Sequence, residues 1–114
     1  MTNHSDLDPE RWRRFSLDQQ ILMIGNEMNR AGKFMAAKDR EHRQSCYERA
    51  LRLADLTISA HPDTSLGREM RIWRGVIADL HSQQAADPAV HRTAFKLLLQ
   101  MTPVAAEQVG CLGL

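Results

Sequence analysis

An all-α, up-and-down bundle is what this sequence predicts, with about four main helices, a short N-terminal lead-in and a short C-terminal helix. Three observations carry that expectation. Apolar residues recur at steps of three and four along most of the chain. Cap-plus-proline signals stand at Asp8-Pro9, Asp87-Pro88 and Thr102-Pro103. No segment alternates with period two over a useful length, and β-branched residues are sparse.

Residues 1–7, polar and acidic, are expected to be a disordered lead before a single domain spanning 8–114. Asp8-Pro9-Glu10 opens a short helix that carries Trp12 and Phe15 onto the bundle. Ser16 with Gln19 three residues on is a capping box. The helix it starts places Leu17, Ile21, Ile24, Met28 and Ala31 within about 80° of one another, a single apolar stripe. Leu22 and Met23 point well away from that stripe, so this helix needs more than one apolar neighbour. Gly32 supplies its stop.

A second helix is expected over 39–61, apolar over nearly half its circumference. Asp39/Arg43 and Glu48/Arg52 are acid-before-base pairs on its solvated face. Pro62 ends it, because the residue before a proline is pushed out of the α region. Asp63-Thr64-Ser65 caps a third helix over 66–84 with Leu66, Met70, Trp73, Ile77 and Leu80 inward and Ile72 and Val76 widening one edge. The fourth runs from Pro88 through Met101 with Val90, Ala94, Leu97, Leu98 and Met101 inward, and a last short helix ends at Gly110. Short links favour antiparallel neighbours.

At 114 residues the chain is long enough to build a core without metal or disulfide staples. Fifteen basic against fourteen acidic residues leave a net charge of +1, which by itself points to neither nucleic acid nor membrane. Arginine outnumbers lysine twelve to three, a bias that a GC-rich genome produces as readily as phosphate recognition does. Cys46 and Cys111 do not make a disulfide framework. No apolar leader follows Met1, and the longest apolar runs are far short of a membrane span. A soluble, cytoplasmic, bacterial-type setting is the expectation, with no cofactor and no membrane partner.

Three sets of residues bear on chemistry. Arg74 and His81, with six residues between them, lie two turns from each other on one side of the third helix. That spacing resembles the motif of HEPN-type small helical bundles. The resemblance implies metal-independent RNA cleavage at a dimer interface, with Arg74 holding phosphate and His81 moving a proton. The same pair also reads as polar residues flanking a core stripe. Asp39, His42 and Cys46 share one helix face at metal-ligand spacing, and His4, His91 or Cys111 would have to supply a fourth donor. Alternatively Asp39 caps the helix and Cys46 is a small core residue. Arg40, Arg43, Arg49, Arg52, Arg68 and Arg71 would form a nucleic-acid patch if the second and third helices joined their polar faces, but acidic residues are interleaved with them. Arg11, Arg13 and Arg14 border Trp12 and Phe15, a pattern that reads either as a membrane-surface helix or as aromatics docked on the bundle.

No Gly-rich phosphate loop and no carboxylate pair on an apolar face is present. The expectation is therefore a protein–protein interaction or regulatory module with an unknown protein partner. It is expected to be homodimeric through the surplus apolar positions Leu22, Met23, Leu56 and Ile72. An RNA-cleaving or toxin–antitoxin component using Arg74 and His81, and non-catalytic nucleic-acid binding, are the alternatives.

Overall fold

The computed structural model describes residues 7–114; the remainder of the expected disordered lead lies outside the described residues. The fold is an all-α bundle with no strand among the described residues. A lead-in, α1 (Pro9–Arg13), precedes the main helices α2 (Leu17–Ala31), α3 (Arg40–Ala60), α4 (Ser65–Ser82) and α5 (Pro88–Leu99). A single 3-10 turn, Ala37–Asp39, leads into α3. The C-terminal helix foreseen as one piece is two single-turn helices, α6 (Pro103–Ala106) and α7 (Gln108–Cys111). α2 packs on α3 and α5, and α4 packs on the same two, so the four main helices close a ring in up-and-down order.

Local chemistry sets the boundaries. Ser16 Oγ accepts from the Gln19 amide at 3.2 Å while Gln19 Oε1 accepts from the Ser16 amide at 2.9 Å, completing the capping box. Asp8, Thr64, Asp87 and Thr102 each accept from an amide in the first turn that follows. Asp39 behaves differently: it starts α3 without a side-chain cap, because the 3-10 turn already feeds the backbone into the helix.

Gly32 ends α2 in the right-handed region, at φ −60°, so it is not there for left-handed freedom. A Cβ on it would lie 3.3 Å from His91 Nε2, and that close approach from α5 explains a small residue. Gly25 serves the same end higher on α2, where Leu99 and Phe95 press against it.

Trp12, fully buried, donates from Nε1 to Thr57 Oγ1 at 3.0 Å and meets Phe15 edge-on. Gln20 holds the lead-in from the other side, donating to the Trp12 and Phe15 carbonyls and accepting at Oε1 from His61 Nε2 at 3.1 Å. Leu7 packs into the core, and its carbonyl accepts from Arg52 at 2.7 Å.

Two charged residues among the described ones are fully buried, and one of them departs from the sequence reading. Arg43, placed on a solvated face by its pairing with Asp39, is fully buried. Its guanidinium donates to the carbonyls of Phe34 (3.0 Å), Ala36 (3.2 Å) and Gln84 (2.9 Å), tying the link after α2 to the link after α4. Glu27, also fully buried, is held by Arg30 at 3.3 Å and Arg49 at 3.1 Å.

The inward face of α5 is rotated from the expected one. His91, Ala94, Phe95, Leu98 and Leu99 are buried, whereas Val90 and Leu97 are exposed. Both stripes satisfy a helical period, and α2 has room for the one bearing the flat rings.

Arg43→Met would remove the one side chain that bridges the carbonyls of Phe34, Ala36 and Gln84 and is expected to cost about 3 kcal/mol, read as a lowered urea midpoint at unchanged slope. The glycines of α4 should separate cleanly. A Cβ at Gly67 would stand 2.3 Å from the His61 carbonyl oxygen, so Gly67→Ala is expected to destabilise by about 2 kcal/mol or more. Nothing lies within 4 Å of a Cβ at Gly75, so Gly75→Ala should stabilise by about 0.5–1 kcal/mol in the same assay.

Candidate functional site

The three sets of residues that the sequence singled out for chemistry are not gathered into one site. Arg74 and His81 both face α3. Arg74 pairs with Asp55 at 2.5 and 3.2 Å, and His81 Nε2 meets Glu48 at 3.1 Å. Antiparallel helices bring residues seven apart on one into register with residues seven apart on the other, so the Arg74/His81 spacing is matched by Asp55/Glu48. The hydrogen bonds that Arg74 donates to Asp55 push its pKa up, fixing its charge against a carboxylate. Both rungs are solvent-exposed and each contributes little to stability.

Asp39, His42 and Cys46 do not converge. His42 is exposed and stacks on Phe34 at a ring separation of 5.0 Å. Cys46 is buried, where desolvation pushes its thiol pKa up despite the nearby Arg49. No group of three metal-ligating side chains is gathered among the described residues.

The basic set is dispersed. Arg43 is buried, Arg49 holds Glu27, Arg52 serves the Leu7 carbonyl and Arg40 donates to Gln84. Arg68 and Arg71 remain exposed on α4.

A buried dyad that the sequence reading missed joins α3 to α5. Tyr47 Oη lies 2.7 Å from His91 Nδ1. Burial pushes the Tyr47 pKa to about 12, so the phenol keeps its proton and donates it, leaving the imidazole proton on Nε2. Burial pushes the His91 pKa below 6.5; the Met28 carbonyl pulls the other way without reaching Nε2 in hydrogen-bond geometry. A cavity of about 340 Å³ adjoins the dyad under Leu112–Leu114, but Nε2 is sealed from it.

The four expected interface positions divide in the same way. Leu56 is buried within the chain, and Leu22 and Met23 are half-buried against the core. Ile72 stands 74 % exposed. It borders a groove of about 670 Å³ between α4 and α5 whose floor is Trp73 and Ala94. Val76, Val90 and Leu97 line the same groove and are exposed as well, and Glu69 is the charged residue among its walls. Trp73 keeps its own indole satisfied, donating to the Ala94 carbonyl at 2.8 Å, so its indole leaves no free donor in the floor. The pattern that could have revealed this face is the doubled apolar stripe of α5, where 90, 94, 97 and 101 compete with 91, 95 and 98.

No family model, curated protein or solved structure matches the chain. No helix among the described residues is long and apolar enough to cross a membrane.

The dyad makes stability pH-dependent. Below pH 6.5 the unfolded chain takes up a proton that folded His91 resists, so stability is full above that value and falls as the pH drops toward the depressed folded pKa. Urea titrations between pH 7.5 and about 5 should show this loss, and His91→Gln should flatten it.

Proposed function

We propose that this chain is a protein–protein interaction module, structural or regulatory in role, that docks a polypeptide through the outer face of α4 and α5. The observation that carries the reading is the row of exposed aliphatic side chains, with Ile72 74 % and Leu97 54 % accessible beside a preformed apolar groove. Covering an aliphatic side chain fully contributes about 1.5–3 kcal/mol, and four of them on one face are a large driving force for association. The two free cysteines, Cys46 and Cys111, fit a reducing cytoplasmic setting for such a module.

The face lies on the far side of α4 from Arg74 and His81, which sit about 160° around the helix from Ile72 and Val76. Docking there leaves the Asp55 and Glu48 pairs undisturbed and asks no catalytic work of them. RNA cleavage by the purified protein that His81→Ala abolishes, with folding unchanged, would replace this reading with a ribonuclease.

The direct test is a photo-reactive benzoylphenylalanine placed at position 72 in the cell, with position 10 as control. A discrete polypeptide adduct at 72 and none at 10 is the expected outcome. Adducts at both positions alike, or at neither, would remove the docking face.

A further inference from the structure

We infer that the occupant of the α4–α5 face is a second copy of this chain, related by a two-fold axis passing near Ile72 and Leu97, an inference that rests on reading this face as a docking surface. The shape of the face argues for it. Ile72 on α4 and Leu97 on α5 stand proud of a floor made by Trp73 and Ala94, so ridge and groove occur side by side on one surface. A single partner helix laid in the groove would leave the outer sides of Ile72 and Leu97 wet. A second α4–α5 pair covers both, because a two-fold axis running along the groove sets Ile72 of each copy beside Leu97 of the other.

The area is sufficient for a reversible dimer. α4 with 18 residues and α5 with 12 are about 27 and 18 Å long at 1.5 Å per residue. Two helices packed 8–10 Å apart therefore offer roughly 400–500 Å² in plan, and more as corrugated accessible surface. A standard interface takes about 800 Å² from each partner, which puts this face at the lower end of specific association and predicts a dissociation constant on the micromolar scale.

Charge placement agrees with the axis. Trp73 bonded to the Ala94 carbonyl fixes the antiparallel register of α4 and α5. Glu69 lies one turn below Trp73 at the rim of the groove, and exposed Lys96 lies on the outer side of α5 close to the same level. Rotation about an axis between Ile72 and Leu97 carries Glu69 of one copy toward Lys96 of the partner copy, and the reverse pair forms by symmetry. The remaining groove walls are apolar or neutral.

Sedimentation velocity and native mass spectrometry of the full chain, over a concentration series spanning the micromolar range, test this. The expected result is a concentration-dependent dimer. Ile72→Glu and Leu97→Glu, at positions exposed in the single chain, should each weaken it about tenfold or more with helical content unchanged. Glu69→Lys or Lys96→Glu alone should weaken it about two- to fivefold, and the double exchange should restore it. A dimer indifferent to Ile72→Glu and Leu97→Glu, or a double exchange that restores nothing, overturns the two-fold placement. A monomer throughout overturns the second copy. If position 72 still cross-links a different polypeptide in cells, the docking face survives that failure; if it does not, both fall.

Discussion

Arg43 is the constraint on which the arrangement of this bundle depends. Its guanidinium is taken out of water and answered by backbone carbonyls from two separate connections, the one after α2 and the one after α4. Those connections run between helices, and a planar, permanently charged fork with five donors can satisfy several of their carbonyls at once. Fixing both links at one end of α3 fixes where α4 ends and α5 begins. That in turn brings His91 against Tyr47 and Gly32, and seats the ring-bearing side of α5 on α2.

Once α5 is seated that way, its second apolar stripe has nowhere inside the chain to go. Val90, Leu97 and half-buried Met101 turn outward and meet Ile72 and Val76 from α4, so the groove is a consequence of core packing. The polar side of the bundle is built on an opposite logic. Arg74, His81, Asp55 and Glu48 answer one another across the α3–α4 seam, matching charges at heptad spacing where water screens them. One flank of α4 is thus committed to its own neighbour, and the other is left open to association.

The elements of this fold were readable because their signals are local. Ser16 with Gln19, and the Asp8-Pro9, Asp87-Pro88 and Thr102-Pro103 pairs, satisfy amides within a turn of themselves, and the observed helices begin where those residues stand. The site was less readable. Ile72 could be marked as surplus from its angle on the helix, but Leu56 carries the same signal and is buried, because α3 has neighbours on more sides than its pattern reveals. The spacing of Arg74 and His81 carried the resemblance to a catalytic motif, and only the neighbouring helix shows that the same spacing fits an ion-pair ladder.

By itself, the sequence determined that the chain is helical, where its main helices start, and that its apolar surface exceeds a single stripe per helix. Those properties depend on dihedral preferences, caps and periodicity, all of which act within about one turn. Tertiary structure decided which of two apolar stripes on α5 faces inward, that Arg43 and Glu27 are buried, and that Tyr47 finds His91. Each of these pairs groups distant in the chain, where burial cost and steric fit are set by what arrives on the other side.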